Sequence, residues 1–461
     1  MLKVYSPYDN SLIKEIPMDS PEQAEAKIAK AHELFSDRSK WLPAHQRRAI
    51  LEKTVVIMRE RKDELVRIAA QEGGKPFNDT VVEVDRAING VILAIEHMAQ
   101  IKGEEIPMGL TPSSVNRLAF TTKEPVGVVM SVSAFNHPLN LTVHQTVPAI
   151  AVGCPVLFKP AQITPLSGLA FIEILKEAGL PEGWCEPVVS DRHVAESLVS
   201  DARVNFFSFI GSGPVGWYLR SKLSEGTLCA LEHGGAAPVI VDADADVVGA
   251  LPGLVKGGFY HAGQVCVSVQ RVYAHESLAV DLANSIATEA KKLVVGVPLD
   301  PATEVGPLIK TAEVDRVDEW VQEAIAQGAT LLCGGKRISE TCYEPTVLLN
   351  PSQESTVSQK EIFGPVVCVY SFSDREEAIR LANSLPYVFQ ASVITENLNT
   401  ALDVVKKLNA TAVMVNDHTA FRVDWMPFGG RGSSGAGVGG IGYSMDEMTC
   451  DKLMVIKSSV L

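Results

Sequence analysis

One cysteine, Cys266, lies in the stretch YHAGQVCVSVQR between small and neutral side chains. A thiol in such surroundings has four ordinary uses: filling the core, binding a metal, forming a disulfide or attacking a carbon atom. None of the eight cysteines forms a CxxC pair or lies at metal-ligand spacing from a histidine, which disfavours metal and disulfide. This cysteine usage suits a reducing compartment, and we expect a cytoplasmic protein. Core filling and nucleophilic attack both stay open.

A second reactive group is the amide of Asn136 in the stretch FNHP, which follows a predicted strand. Ligands of α/β proteins bind at the carboxyl ends of parallel strands, so an amide there points towards a binding site. It can donate a hydrogen bond to a developing oxyanion. An asparagine before His-Pro equally suits a plain turn. The residues alone leave both uses open.

The run GSGPVG, residues 211–216, matches the pattern G-x-G-x-x-G between a predicted strand and a predicted helix. Backbone N–H groups of such a turn bind a pyrophosphate at the helix N-terminus, although a tight turn needs glycine for local reasons too. Glu232 lies at the distance, about 20 residues, where this motif places a ribose-binding acid. Two glycines follow Glu232, which also fits a carboxylate held on a tight loop facing an open site, or a surface acid before a turn.

The composition limits what surrounds these groups. A chain of 461 residues is expected to form two or three domains. The content of 46% hydrophobic and 21% charged residues is typical of a globular protein. A net charge of −14 argues against a nucleic-acid partner, because phosphate binding needs an excess of Lys and Arg. We find no signal peptide and no apolar run of transmembrane length, so we expect no membrane association.

Strand and helix patterns alternate along most of the chain. The N-terminal part predicts two helices, one opened by the capping box SPEQ at 20–23 and one from 44 to 73. Buried strands are predicted at 126–130, 156–158, 188–189, 206–210, 239–241, 269–273 and 366–370. Such alternation predicts an α/β fold with parallel sheets covered by helices. The segments 117–123 and 452–456 read as exposed edge strands that pair with a partner subunit.

Eight short motifs occur in a fixed order: EPVGV (124–128), FNHP (135–138), FKP (158–160), GS (211–212), LEHGG (231–235), GQVC (263–266), EIFGP (361–365) and PFGG (427–430). From about residue 20 to the C-terminus the chain thereby resembles the NAD(P)-dependent aldehyde dehydrogenase superfamily. The resemblance implies a Rossmann-type cofactor domain, an α/β catalytic domain and a β-strand oligomerisation arm. It also implies a homodimer or homotetramer.

The resemblance assigns the three reactive groups. Cys266 is the expected nucleophile, which attacks the aldehyde to give a thiohemiacetal and, after hydride transfer, a thioester. Asn136 is the expected oxyanion donor, together with the Cys266 backbone N–H. Glu232 is the expected general base for the deacylating water rather than a ribose ligand. Relatives that form acyl-CoA typically lack this Glu, so we expect a free carboxylic acid as product.

The remaining positions follow the same resemblance. NAD or NADP is expected to contact Lys159 at the adenosine ribose, Gly211 and Ser212 at the pyrophosphate, and Glu361 and Phe363 at the nicotinamide ribose and ring. Phe428 is expected to line the substrate tunnel. Gln162 stands where NAD-preferring relatives often carry Glu. A neutral amide does not repel a 2′-phosphate, so we expect NADP to be tolerated.

Two charges common in relatives are both absent. Many relatives place a Lys nine residues after the oxyanion Asn and a Glu after PFGG, where this chain has Gln145 and Gly439. Their joint loss leaves no orphan charge. We expect the proton path to run differently, through water or His144.

The segment at 416–428 resembles relatives that act on short hydroxyaldehydes such as lactaldehyde or glyceraldehyde types. Within it, Arg422 has two readings: it binds an anionic group of the aldehyde, or it pairs with Asp424 to hold the loop. Two rival functions are a CoA-acylating dehydrogenase and a binding protein that kept the fold without catalysis. The expected domains are 1–112 with 126–233 for NAD(P), 234–444 for catalysis, and 113–125 with 445–461 for the arm.

Overall fold

The structure, a computed structural model, describes residues 1–461. It contains twenty β-strands and fifteen α-helices. The strands are β1 (Leu2–Tyr5), β2 (Leu12–Ile16), β3 (Glu105–Ile106), β4 (Arg117–Pro125), β5 (Val128–Val132), β6 (Val156–Lys159), β7 (Cys185–Pro187), β8 (Val204–Ile210), β9 (Leu228–Glu232), β10 (Pro238–Val241), β11 (Arg271–His275), β12 (Thr330–Cys333), β13 (Thr346–Leu349), β14 (Val366–Phe372), β15 (Tyr387–Val388), β16 (Gln390–Ile394), β17 (Ala412–Val415), β18 (Arg431–Gly432), β19 (Gly435–Ala436) and β20 (Thr449–Lys457).

The helices are α1 (Pro21–Ser36), α2 (Ala44–Glu60), α3 (Lys62–Gly73), α4 (Phe77–His97), α5 (Pro138–Val152), α6 (Leu166–Glu177), α7 (Arg192–Val199), α8 (Gly213–Arg220), α9 (Val247–Phe259), α10 (Glu276–Ala290), α11 (Thr311–Ala326), α12 (Thr356–Gln359), α13 (Arg375–Ala382), α14 (Leu398–Lys407) and α15 (Ile441–Glu447). None of them is long and apolar enough to cross a membrane.

The first large sheet has the order β19-β9-β8-β5-β6-β7. All neighbours except β19 pair in parallel. Lys159 is in register with Val132, and Glu232 with Ile210, so the carboxyl ends of four strands meet at one edge. The loops that follow these strands therefore converge, as the Rossmann-type prediction requires.

The second large sheet has the order β12-β13-β14-β11-β10-β16-β17 and is parallel except for the edge strand β12. Its strands are rich in β-branched residues and are buried on both faces beneath α9, α10, α11, α13 and α14. This packing forms the largest core of the molecule. Burial of both faces explains why these strands read as continuous apolar runs rather than alternating ones. The predicted α/β class is confirmed.

Most predicted strands are present, with bounds shifted by up to two residues; the strand predicted at 126–130 is β5, and that at 269–273 is β11. The prediction of a strand at 188–189 is wrong, because the strand in this region is β7, which ends at Pro187. Val189 is buried instead against Val4 and Ile16 of the N-terminal hairpin, and its carbonyl accepts the N–H of Asp19. Its apolar character therefore reflects packing under the hairpin.

The predictions of one helix and of two edge strands need correction. The single helix predicted from 44 to 73 is divided into α2 and α3 at Arg61, whose guanidinium binds Glu64 in the first turn of α3. The two predicted edge strands pair with each other as β4 and β20 over nine residues, and β3 covers the other side of β4. In the order β20-β4-β3, β20 is an outer strand and β4 lies between two strands. The prediction of an edge strand is therefore wrong for β4.

Candidate active site

One cavity of about 760 Å³ opens where the carboxyl edge of the first sheet faces the second α/β unit. Its walls include nine of the residues predicted from the sequence: Asn136, Gly211, Ser212, Glu232, Cys266, Glu361, Phe363, Arg422 and Phe428. The cavity has the size of a site for a dinucleotide fragment and a small substrate. The fold thus brings together side chains from positions 136 to 428 of the chain.

The loop that carries Cys266 has an unusual backbone. His261 and Ala262 adopt left-handed φ angles of 49° and 55°, and Gly263 follows at φ +70°. Non-glycine residues in this region are strained and persist only where the surroundings hold them. A Cβ on Gly263 would lie 2.0 Å from the carbonyl oxygen of Gly364. The thiol loop is therefore pressed against the segment that carries Glu361 and Phe363.

Gln264 fixes this loop from inside. Its amide donates to the carbonyls of His261 and Pro307 at 3.2 Å each, and its Oε1 accepts the N–H of Ile309 at 2.9 Å. Enclosure in the protein raises the pKa of the Cys266 thiol to about 12, while the positive charge of Arg422 opposes that rise. The thiol is neutral in this state and gains from the nearby guanidinium when it ionises.

Asn136 lies just before α5, next to the thiol loop. Its Nδ2 donates to the carbonyl of Gln264 at 2.9 Å, which ties the amide to the loop two residues before Cys266. The first turn of α5 has no cap from its own N-cap residue, His137. Glu83 of α4 serves instead and accepts the N–H groups of Leu139 and Asn140 at 3.0 and 3.1 Å.

Glu232 ends β9 and reaches into the cavity. Enclosure raises the pKa of its carboxyl to about 7, with Arg422 opposing and Glu447 adding to the rise. The side chain depends on Gly439, where a Cβ would lie only 2.0 Å from Glu232 Oε1. A carboxylate with a pKa near neutrality is well matched to accept a proton from water at physiological pH.

Glu361 and Phe363 form the opposite wall. Glu361 Oε1 is buried without a hydrogen-bond partner, and burial raises the pKa of this carboxyl to about 8. A Cβ on Gly234 would lie 1.8 Å from the same oxygen, so glycine leaves the space that this carboxylate uses. Phe363, at φ 47°, meets the ring of Phe135 edge-on at 5.8 Å.

These groups fit a nicotinamide dinucleotide. A carboxylate with one unpartnered oxygen is an acceptor that ribose hydroxyls can use, and Phe363 offers a flat apolar surface for a ring. Gly211 and Ser212 stand at the N-terminus of α8, and the Ser212 side chain makes no cap hydrogen bond there. A helix N-terminus with a free hydroxyl suits a pyrophosphate.

Lys159 and Gln162 lie at the same edge but outside the cavity walls. Lys159 is the last residue of β6, forms no salt bridge, and has its pKa lowered by burial. Gln162 donates from Nε2 to the carbonyl of Ser190 at 2.9 Å. Their predicted contacts with the adenosine half of the cofactor stay predictions.

Arg422 packs against the ring of Phe428, with its Cζ 3.5 Å from the ring centroid. Its side chain is 11% exposed, and neither Nε nor Nη2 has a hydrogen-bond partner. Asp424, the alternative partner considered from the sequence, is 3.8 Å from Nε and is already held by Arg86 at 2.7 and 3.0 Å. His144 binds the same carboxylate at 2.8 Å.

Arg86 is one of the wall residues that the sequence analysis missed. It comes from α4, 338 residues before its partner Asp424, so no local pattern joins them. The available signal was on the helix itself, because the charged residues Asp79, Glu83 and Arg86 fall near the apolar stripe of α4. Charges placed on a buried helix face indicate partners elsewhere in the fold.

The chain matches the aldehyde dehydrogenase family over residues 1–454. It is 36% identical over 456 residues to the 3-sulfolactaldehyde dehydrogenase of Priestia aryabhattai, covering 99% of this chain and 94% of that protein. It is 37% identical over 460 residues to the lactaldehyde dehydrogenase of Methanocaldococcus jannaschii, covering 99% and 97%. The glyceraldehyde-3-phosphate dehydrogenase of the same organism, solved in complex with NADP, superimposes with a TM-score of 0.94 at 36% identity and 99% coverage of both chains.

A parallel sheet with a dinucleotide turn near a thiol, an amide and a carboxylate is typical of an NAD(P)-dependent oxidoreductase. The chain belongs to the aldehyde dehydrogenase family, and it is an oxidoreductase that acts on aldehydes. The resemblance seen in the eight sequence motifs is thereby confirmed.

Proposed function

We propose that this enzyme oxidises a short hydroxyaldehyde bearing an anionic group to its carboxylic acid, with Cys266 as nucleophile. The observation that carries the proposal is that Cys266, Asn136, Glu232 and the unpartnered guanidinium of Arg422 line one cavity.

In the first half of the reaction, Cys266 gives its thiol proton to water, the thiolate sulfur forms a bond to the aldehyde carbon, and the carbonyl oxygen becomes negative. Asn136 Nδ2 and the Cys266 backbone N–H donate to that oxygen; losing one such donor typically costs about 100- to 1,000-fold in rate. When bound, NAD(P) would accept the hydride that leaves this carbon, and Cys266 then carries a thioester. Arg422 favours the thiolate, since its charge opposes the raised pKa of Cys266.

In the second half, Glu232 takes a proton from water and the hydroxide attacks the thioester carbon. The C–S bond breaks, the acid leaves, and Cys266 returns as thiolate. This use of Glu232 supports hydrolysis over acyl transfer to CoA. Turnover that depends on CoA would favour the acylating rival. Absence of NAD(P)H formation with every aldehyde, despite cofactor binding, would favour the non-catalytic one.

The substrate proposal rests on charge. Asp424 is committed to Arg86 and His144, so Arg422 keeps a net positive charge in the cavity. A buried guanidinium with unused N–H groups suits a carboxylate, phosphate or sulfonate. The relatives named for 3-sulfolactaldehyde and glyceraldehyde-3-phosphate act on aldehydes of this kind, which supports the proposal.

The decisive experiment compares Arg422→Gln with the unchanged enzyme on a neutral and an anionic aldehyde of equal length. We expect kcat/KM for the anionic substrate to fall about 10- to 100-fold more than for lactaldehyde, because a hydrogen bond to a charged group contributes about 1.5–3 kcal/mol. Cys266→Ala, run beside it, should form no NAD(P)H with either substrate. An equal loss on both aldehydes would defeat the anion site and leave the oxidation itself intact.

We further propose that the enzyme uses NADP as well as NAD, because Gln162 is neutral where a carboxylate would repel a 2′-phosphate. Gln162→Glu should raise KM for NADP more than for NAD. A strict preference for NAD in the unchanged enzyme would refute this.

A cytoplasmic location is proposed from the eight cysteines, all of which are free thiols. Assembly as a homodimer or homotetramer through β20 is proposed from its free apolar edge. The predicted domains, with the arm at 113–125 and 445–461, are likewise our proposal; it is supported by the separation of the chain into two large sheets and the small sheet β20-β4-β3.

A further inference from the structure

The proposed general base, Glu232, must release its proton after each turnover, and the main cavity does not provide the route. After each turnover Glu232 holds a proton taken from water, and it must lose that proton before it can act again. On the main-cavity side Glu232 shares the walls with Cys266 and Arg422, and bound substrate and cofactor would fill this cavity during catalysis. The proton needs a second way out.

A second, separate cavity lies behind Glu232. It measures about 10 Å³, close to the ~10–15 Å³ that one water molecule needs. Its walls include Glu232, Gln145, His144, Ser444 and Glu447. Glu232 is thus the one ionisable side chain that lines both this cavity and the large one.

Gln145 marks the small cavity as polar. Its Nε2 donates to the carbonyls of Val132 and Ser208 at 3.1 and 3.2 Å and to the Ser208 hydroxyl at 3.1 Å. Its Oε1 is left without a partner although the residue is 1% exposed. A buried amide oxygen without a partner is costly and calls for a water molecule as donor.

Glu447 closes the far side, at the last turn of α15. Its Oε1 accepts the N–H of Val438 at 2.9 Å, and Val438 adjoins Gly439, the residue that Glu232 Oε1 would contact if it had a Cβ. Two carboxyl groups therefore flank one short segment, one facing the substrate cavity and the other partly exposed at the surface. Burial raises the pKa of Glu447, and the charge of Glu447 adds to the raised pKa of Glu232.

We propose that Glu447 is the group through which the proton taken up by Glu232 leaves the protein, by way of water in the small cavity. Glu232 gives its proton to that water, the water gives one to a Glu447 oxygen, and Glu447 releases it to solvent. The O–H bond broken at each site is replaced by one formed at the next, and no other reactant is needed. The proposal rests on the assignment of Glu232 as the base.

His144, the alternative considered from the sequence, fits this route less well. Its Nε2 is hydrogen-bonded to Asp424 at 2.8 Å, and Asp424 is 2% exposed and held by Arg86. Burial also lowers the pKa of His144. A proton on this imidazole would therefore face a buried ion pair rather than solvent.

The test is rapid mixing of enzyme, NADP and aldehyde, which separates the first burst of NADPH from steady turnover. In Glu447→Gln the amide oxygen still accepts the Val438 N–H. We expect the burst to be retained or to become visible, and kcat to fall about tenfold or more, less than the ~100- to 10,000-fold of direct acid–base groups. KM for the aldehyde should not rise. In Glu447→Ala, added formate should restore kcat in proportion to its concentration.

Asp446→Asn is the matched control, because Asp446 is the neighbouring exposed acid on α15 and contacts only His97 at 3.3 Å. It should behave as the unchanged enzyme. If Glu447→Gln keeps full kcat while Glu447→Ala is slow, Glu447 only holds the Val438 segment and the proposal is overturned. Equal losses of burst and steady rate would overturn it too.

The underlying assignment is tested separately by Glu232→Gln. That variant should keep the burst and lose steady turnover. If it keeps turnover, the base itself is misassigned. If it behaves as expected while Glu447→Gln is unaffected, only the exit is wrong.

Discussion

At the scale of single residues, the positive charge of Arg422 acts on the ionisable groups of the cavity. Its guanidinium opposes the rise in pKa of both Glu232 and Cys266. Asp424, the nearest acid, does not cancel this effect, because Arg86 holds it with two hydrogen bonds. Arg422 itself gains little from this position, since two of its N–H-bearing nitrogens have no partner. Such an arrangement is typical of a functional site, where a stability cost is retained for the reaction.

This electrostatic role predicts a pH effect. As the proposed base, Glu232 acts in its carboxylate form, so with a pKa of about 7 turnover should fall as pH drops through about 7. Removing the positive charge in Arg422→Leu raises the pKa of Glu232 further, so the acidic limb of the pH–kcat curve moves to higher pH. Curves measured on a neutral aldehyde show this without the effect on anion binding. Arg422→Lys keeps the charge and should leave the limb near its original position; a limb that moves to lower pH contradicts the role.

At the scale of elements, Asn136, the proposed oxyanion donor, depends on a helix from far along the chain. The first turn of α5 takes its cap from Glu83 of α4, and Lys75 forms a fully buried ion pair with that carboxylate. A single loss from a buried pair leaves an uncompensated charge and typically costs about 3–5 kcal/mol. The position of Asn136 therefore rests on a pair that lies outside the reacting cavity.

The pair predicts non-additive mutations. Lys75→Met should lower the free energy of unfolding by about 3–5 kcal/mol and lower kcat, because the loop before α5 loosens. The double variant Lys75→Met with Glu83→Gln should recover part of the stability, since no orphan charge remains, and the amide oxygen still accepts one N–H. Urea unfolding of the single and double variants measures the coupling. Strictly additive losses would show that the two side chains act independently.

The thiol loop gives a second prediction at this scale. Gly263→Ala and Gly226→Ala both place a Cβ at a left-handed φ, of +70° and +83°, which costs about 1–2 kcal/mol. Only at Gly263 does the Cβ meet a backbone carbonyl, while nothing lies within 4 Å at Gly226. Gly263→Ala should therefore lose activity, because the loops of Cys266 and Phe363 are pushed apart, whereas Gly226→Ala should keep it. Comparison of kcat at matched folded fractions checks this; equal activities would mean that the loops adjust freely.

Sites built from contiguous motifs could be predicted from the sequence, whereas contacts between residues far apart in the chain could not. Cys266 and Glu232 stand in contiguous motifs that carry the family resemblance, and that resemblance predicts them in one site. The hydrogen bonds of Asp424 to Arg86 and His144 span 338 and 280 residues, and no local pattern specifies such pairs. The misplaced strand at 188–189 has a similar origin, because Val189 is apolar where it packs against the distant N-terminal hairpin.

At the scale of the whole molecule, β20 is an outer strand that pairs with β4 on one side only. Leu453, Met454, Val455 and Ile456 are 43–56% exposed, although successive strand residues point to opposite faces. Both faces of the strand are therefore apolar and uncovered, and one edge has free backbone groups. A long exposed apolar edge is normally protected by charge or by another chain. A second copy of this protein supplies that cover in our proposal, although the chain carries a charge of −14.

The assembly proposal predicts that Leu453→Lys with Val455→Lys, two residues on one face of β20, yields a monomer. Each buried aliphatic side chain contributes about 1.5–3 kcal/mol, and a buried lysine adds a desolvation cost, so the pair should abolish a modest interface. Leu398→Lys with Leu402→Lys on α14 is the matched control, because those side chains are 71% and 59% exposed and the added charge is the same. Sedimentation velocity should show a lower mass only for the β20 variant, with unchanged far-ultraviolet circular dichroism. Dissociation of both variants would point to the added charge, and an unchanged mass in both would place the subunit contact elsewhere than β20.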